Sequence, residues 1–424
     1  MFTNGGANQR LKNLSPSPTL RIKELCRQLQ TQGKKICDLG LGQSPFPAPN
    51  FLVKELRKNA HRVEYLPAPG LSSLRRAVAE FFNQRQNLDL TENNIVIGPG
   101  SKELLFLLQL ANGGITILST PSWVSYQPQA KIANKKIYYL KTDFSRSWKI
   151  QPKDLEQIPS SRKTNFLILN YPHNPSGLTY SQTELRALAQ IARRRKIIIV
   201  ADEIYGEFHH QGKHCSIARF YPEGTIIISG LSKWGSAGGW RLGTAAFPPQ
   251  LEQLKNTVIA LGTNTYSCAA TPIQYAATQA FQNPEMKTYL QHTRRILQKL
   301  GSECFTILNQ AGIKVHPPQG GFYLYLDFSP FKKQLSKKGI KTNQQLCSRL
   351  LKETGVVIIA GEEFLSHKNE LVARLAYVDF DGKRALAASR HLGLNRSLPA
   401  DFSQHYCRRT LEGCQKIKHW IENL

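Results

Sequence analysis

Lys233 stands in the run Ser229-Gly-Leu-Ser232-Lys233-Trp-Gly-Ser-Ala-Gly-Gly-Trp-Arg241-Leu-Gly243. The run follows Ile226-Ile227-Ile228, which reads as a buried strand, so the lysine emerges at a sheet edge. An amine desolvated there falls in pKa and becomes a nucleophile for an aldehyde. The hydroxyls beside it and Arg241, eight residues on, suit a phosphate; an ordinary surface lysine in a glycine-rich loop is the alternative. Asp202 closes another apolar run in Val200-Ala-Asp202-Glu203-Ile204-Tyr205. A carboxylate is costly to bury unless paired, so a cationic partner is expected, and the Tyr205 phenol is placed for a neighbouring oxyanion; a helix N-cap is the bland reading. Asn174, in Asn170-Tyr-Pro-His-Asn174-Pro175-Ser-Gly177, also follows a strand, in a segment rich in turn formers. Gly98-Pro-Gly100-Ser101-Lys102-Glu103 reads as a strand-to-helix turn whose N–H groups can hold a phosphate, a weak signal alone. Arg374 interrupts the apolar pattern Val-Ala-Arg374-Leu-Ala, either as a planar fork for a carboxylate or on the exposed face of an edge strand.

The elements that must carry these residues are short apolar strands alternating with helices. Ile95–Ile97, Ile115–Leu118, Phe166–Leu169, Ile197–Val200 and Ile226–Ile228 read as strands, with helices near 101–110 and 181–195 between them. This pattern predicts an α/β fold, a three-layer sandwich with a mostly parallel central sheet, and places chemistry just past the strand C-termini. Beyond residue 290 the character changes. A long helix pattern near 284–309, an alternating strand over 320–326 with one wet face, a helix near 342–353, and strands Val356–Ile359 and Val372–Val378 predict a smaller α+β domain. The division is then a large domain over 46–290 and a small one from 1–45 together with 291–424.

Among the 424 residues, 41% are hydrophobic and 20% charged, which excludes a disordered chain. The net charge of +27 is spread along the chain, with only short runs such as Arg193–Lys196. No zinc spacing or basic heptad region accompanies it, so no nucleic-acid partner is expected; the charge either steers an anionic substrate or reflects a general compositional bias. No apolar run is long enough for a membrane span, and the N-terminus carries no secretory signal. The eight cysteines are scattered without a CxxC pair and read as reduced thiols of a cytoplasmic protein.

Taken in order, Asn-Pro-Ser-Gly, Asp-x-x-Tyr, Ser-Lys followed by Gly-Trp-Arg, and a late Arg-Leu resemble the fold-type-I, pyridoxal-phosphate-dependent aminotransferases of classes I and II, over about residues 15–395. The resemblance implies that Lys233 holds the cofactor as an internal aldimine and then moves the Cα proton. It implies that Asp202 pairs with the pyridinium nitrogen, that Tyr205 and Asn174 reach the ring hydroxyl, and that Trp123 stacks on the ring. Ser101, Lys102, Ser232 and Arg241 would bind the phosphate, with Ser229 a weaker candidate. Arg374 would clamp the substrate carboxylate beneath Gly42. Tyr65 would reach the phosphate of the neighbouring subunit, which implies a homodimer with shared sites.

The chain departs from the family pattern at Tyr126, where some relatives have histidine, at Gly230, where a hydroxyl is usual, and at Ala360-Gly361. Lys102 occupies the position where one subgroup uses a lysine for the distal carboxylate of aspartate or glutamate. The resemblance therefore implies ping-pong transfer of an α-amino group from an L-amino acid, aspartate or glutamate favoured, to a 2-oxo acid. Aromatic or broad-range transamination, and a β-lyase on the same fold, remain as alternatives.

Overall fold

The computed structural model describes residues 8, 11, 12, 14, 16, 18–159 and 163–424. Its strands are β1 (Cys37–Asp38), β2 (Ile95–Gly98), β3 (Thr116–Thr120), β4 (Ile137–Lys141), β5 (Phe166–Asn170), β6 (Ile198–Asp202), β7 (Thr225–Gly230), β8 (Gly243–Ala246), β9 (Tyr323–Asp327), β10 (Val356–Val357), β11 (Ile359–Ala360) and β12 (Val372–Ala376). A seven-stranded sheet runs β2-β8-β7-β6-β5-β3-β4. Neighbours from β7 to β4 are parallel, and β8 is antiparallel to both β7 and β2.

Side chains alternate across this sheet, and the alternation builds two cores. Ile117, Leu167, Leu169, Ile199 and Ala201 pack on one face with Leu185, Leu188 and Ala192 of the helix Gln182–Arg194. Leu118, Ile168, Val200, Ile226 and Ile228 pack on the other with Leu104 and Leu108 of the helix Ser101–Ala111. Continuous apolar strands are thus covered on both sides, as their lack of polar positions requires. The helix 182–194 starts at a Ser181–Glu184 capping box, which fixes its first turn.

A second, three-stranded antiparallel sheet, β11-β12-β9, pairs Arg374 with Tyr325 and Ile359. The single strand expected at Val356–Ile359 is divided: β10 pairs in parallel with β1, whereas β11 joins β12. The wet face expected on β9 is absent, since all five of its residues are buried. Its tyrosines are covered and their hydroxyls are satisfied, Tyr323 by Tyr205 and Tyr325 by Ser366. The expected helices occur at Glu285–Gln310 and Asn343–Thr354, and a further helix spans Pro18–Thr31. All eight cysteines are free thiols. Among the described residues no helix is long and apolar enough to cross a membrane.

Candidate active site

A cavity of about 390 Å³ opens where β5, β6 and β7 end and the helix Ser101–Ala111 begins. Lys233 lies in it, just beyond β7. Its Nζ donates to the Gly42 carbonyl at 2.6 Å and sits 5.6 Å from the centre of the Tyr205 ring. Burial, Arg374 and Lys102 pull its pKa down to about 7. A useful fraction of free amine is thereby present at neutral pH.

Asp202, the last residue of β6, faces the same cavity. Its partner is a phenol rather than the expected cation: Tyr126 donates to Oδ2 at 2.5 Å, and the Ile204 N–H reaches Oδ1 at 3.3 Å. Burial raises the carboxyl to about 6 against the opposing pull of those two hydrogen bonds. The β5–β6 register places Asn170 beside Asp202. Asn170 donates to the Asp202 carbonyl and accepts from the Asn174 N–H, both at 2.8 Å, so one side chain ties two strand ends and fixes the turn that presents Asn174.

Arg374 is fully buried in the middle of β12, which removes the edge-strand alternative. One Nη donates to Asn174 Oδ1 at 3.0 Å, the other to the Gly40 carbonyl at 2.5 Å, and Nε has no partner among the described residues. Tyr323 and Phe364 flank the guanidinium at 4.6 and 4.9 Å. Among the described residues no carboxylate forms an ion pair with it. A buried guanidinium left that way is a receptor for an incoming carboxylate.

Ser101, Ser232 and Arg241 also line the cavity, and Gly100 packs against Arg241. Gly100 has φ +96°, and a Cβ there would lie 2.2 Å from Arg241 Nη2. Arg241 donates to the Gly238 carbonyl at 2.9 Å and lines the cavity. The strand β8 escaped the sequence reading because Gly-Thr-Ala-Ala is not an apolar run, yet its smallness matters. A Cβ on Gly243 would lie 2.2 Å from the Ser101 nitrogen, so β8 lets the helix start approach closely. Trp123 lines the wall edge-on to Tyr126 at 5.1 Å, and Lys102 Nζ lies 5.2 Å from the centre of its ring. Lys102 lines the cavity while remaining partly exposed; desolvation and Arg241 lower its pKa.

Gly42, Ser101, Lys102, Trp123, Asn174, Asp202, Tyr205, Ser232, Lys233, Arg241 and Arg374 are thus all brought to one cavity. Tyr65 is not: it is 86% exposed on the surface. Ser229 is buried in β7 and does not line the cavity. Sequence reasoning did not anticipate Tyr323, whose hydroxyl meets that of Tyr205 at 2.7 Å. The glycine opposite was its one signal, since a Cβ on Gly42 would lie 2.0 Å from Tyr323 Oη. The departure at Gly230 has a steric cause: a Cβ there would meet the Leu242 carbonyl at 2.6 Å.

Residues 34–377 match the family described as aminotransferase class I and II. The chain belongs to this family. It is 33% identical to the aspartate aminotransferase of Bacillus sp. (strain YM-2) over 365 residues, 84% of this chain and 91% of that one. It is 28% identical to a probable aspartate/prephenate aminotransferase of Aquifex aeolicus over 371 residues, 85% of this chain and 91% of the relative. The solved aspartate aminotransferase from Thermus thermophilus with maleate superposes with a TM-score of 0.81 at 26% identity, covering 91% of this chain and 98% of that one. The enzyme is an aminotransferase, and its family uses pyridoxal phosphate.

Proposed function

We propose that this aminotransferase moves the α-amino group of aspartate or glutamate to a 2-oxo acid by a ping-pong route. The observation that carries the reading is a pair of separated cations in one cavity. Arg374 is buried, has no carboxylate partner among the described residues, and suits the α-carboxylate. Lys102 lines the same cavity, with no carboxylate of the described residues in salt-bridge distance, and suits the distal one. Relatives named aspartate aminotransferase, at 33%, 32% and 31% identity, support the same substrate class.

The cavity fits pyridoxal phosphate. A buried carboxyl raised to about 6 lacks a cationic partner, as a site for a protonated pyridine nitrogen should. The Gly100–Arg241 cradle and the helix N-terminus offer a phosphate cup. When bound, the cofactor supplies an electron sink for loss of the Cα proton. In this reading Ser101, Ser232 and Arg241 would hold the phosphate, Asp202 would keep the ring nitrogen protonated, and Trp123 would cover the ring face. Tyr205 and Asn174 orient the ring hydroxyl. Lys233 takes the proton from Cα and returns it one position away. Arg374, with Asn174 and the Gly42 segment, fixes the substrate carboxylate.

The same reading includes a homodimer in which Tyr65 reaches the neighbouring subunit's phosphate. The exposure of Tyr65 and of Val63, at 90%, supports a covered surface there. It also keeps a large domain over 46–290 and a small one from 1–45 with 291–424; the β1–β10 pair, which joins the N-terminal segment to the C-terminal part, supports this division. The free thiols support a reducing, cytoplasmic setting.

The test is kcat/KM for L-aspartate, L-glutamate, L-alanine and L-phenylalanine in the parent and in Lys102→Ala. A partly exposed ion pair is worth roughly 1 kcal/mol, so both dicarboxylates should lose about five- to tenfold while phenylalanine and alanine change by less than about twofold. A uniform loss across all four assigns Lys102 to the phosphate alone and removes the basis for the dicarboxylate reading.

A further inference from the structure

The helix Arg408–Glu422 lies beyond residue 377, where the family match ends, yet it is built into the segment that roofs the active site. Arg409 donates to the Ile36 carbonyl at 2.8 Å and forms an ion pair with Asp379 Oδ2 at 3.2 Å. Thr410 donates to the Asp379 carbonyl at 3.0 Å. Asp379 Oδ2 in turn accepts the Asp38 N–H at 2.9 Å. The Asp38 carboxylate accepts from the N–H groups of Gly40 and Leu41 at 3.1 and 3.3 Å. The chain ends in the cavity: the Gly40 carbonyl receives Arg374, and the Gly42 carbonyl receives Lys233. A separate steric fact points the same way. A Cβ on Gly413 would lie 2.7 Å from Leu39 Cδ1 and 3.3 Å from Cys37 Cβ, so this helix packs tightly on the same segment and a larger side chain there would press on it.

We propose that the C-terminal helix is a positioning element for the substrate carboxylate. Through Arg409, Asp379 and Asp38 it sets the place of the Gly40 carbonyl, and so the aim of the Arg374 fork. Arg409 and Asp379 touch no reacting atom, and their effect reaches substrate only through segment 38–42. The amino donor and the oxo acid both present a carboxylate to the same fork, so loosening the relay should weaken both alike.

Arg409→Ala and Gly413→Ala are assayed as dimeric, cofactor-saturated enzyme, with whichever amino acid turns over fastest. The inference therefore stands apart from the Lys102 reading. KM for donor and for oxo acid should each rise about three- to tenfold, the loss of one or two hydrogen bonds' orienting effect, with kcat within about twofold. Arg409→Lys, which keeps the charge for Asp379, should recover part of the rise. If Arg409→Ala does not fold, Asp379→Asn takes its place, since the amide still accepts the Asp38 N–H while the ion pair is lost. KM values unchanged in a folded variant, even one with a lowered unfolding temperature, overturn the proposal. So does a fall in kcat at constant KM, or an Arg409→Lys enzyme no better than Arg409→Ala.

Discussion

Replacing Tyr126 by phenylalanine removes one hydrogen bond and leaves the ring in place. In the parent, that phenol donates to the buried Asp202 carboxylate at 2.5 Å, and the only other donor among the described residues is the Ile204 N–H at 3.3 Å. A hydrogen bond to a charged group contributes about 1.5–3 kcal/mol. At about 1.36 kcal/mol per unit, the Asp202 pKa should climb by roughly one to two units. The sign follows from linkage. Asp202 is already raised to about 6, so the fold favours its protonated form. The corresponding stabilisation is complete below the ordinary carboxylate pKa and is lost as pH rises through about 6. In the variant the loss continues to higher pH and grows larger. Urea unfolding of the cofactor-free proteins should therefore show a gap between parent and variant that widens by about 1.3–2.5 kcal/mol between roughly pH 5 and pH 8.5. Saturating pyridoxal phosphate should narrow that gap, because a cation at Asp202 compensates for the lost donor. A gap independent of pH would refute the reasoning and reduce Tyr126 to a packing residue.

Two further substitutions probe the substrate end. Arg374→Ala leaves a carboxylate without its buried fork, and steady-state assays should show KM raised at least about a hundredfold for every amino acid, the 3–5 kcal/mol scale of breaking a buried charged pair; selective loss for dicarboxylates would move the distal site to Arg374. Gly42→Ala pushes a methyl to 2.0 Å from Tyr323 Oη. It should cost activity in kinetic assays, and Tyr323→Phe in the same chain should recover part of it; a fully active Gly42→Ala enzyme contradicts the packing described here.

The central sheet was legible because its strands are uninterrupted apolar runs such as Ile226–Ile228, a pattern that only burial on both faces explains. The site was legible because its residues cluster at the ends of those runs, where topology brings Asn170, Asp202 and Lys233 together. What escaped has a common cause: it depends on contacts between distant segments. β8 is short and small-residued, and its purpose is the close approach to Ser101. Tyr323 reads as a core tyrosine until Tyr205 is placed against it. The wet face expected on β9 vanished because other segments cover its tyrosines. The C-terminal helix left a readable trace, buried positions at Thr410, Gly413, Cys414, Ile417, Trp420 and Ile421, a helical spacing that the sequence reading passed over.

The central claim is amino-group transfer with aspartate or glutamate as donor. Its most direct test mixes the pyridoxal-phosphate-loaded enzyme with L-aspartate in the absence of any oxo acid. About one oxaloacetate per subunit should form with the amino group retained on the enzyme, that group should leave as glutamate on adding 2-oxoglutarate, and Lys233→Ala should do none of this. Continuous release of ammonia, or no oxo acid formed from aspartate or glutamate, would contradict it.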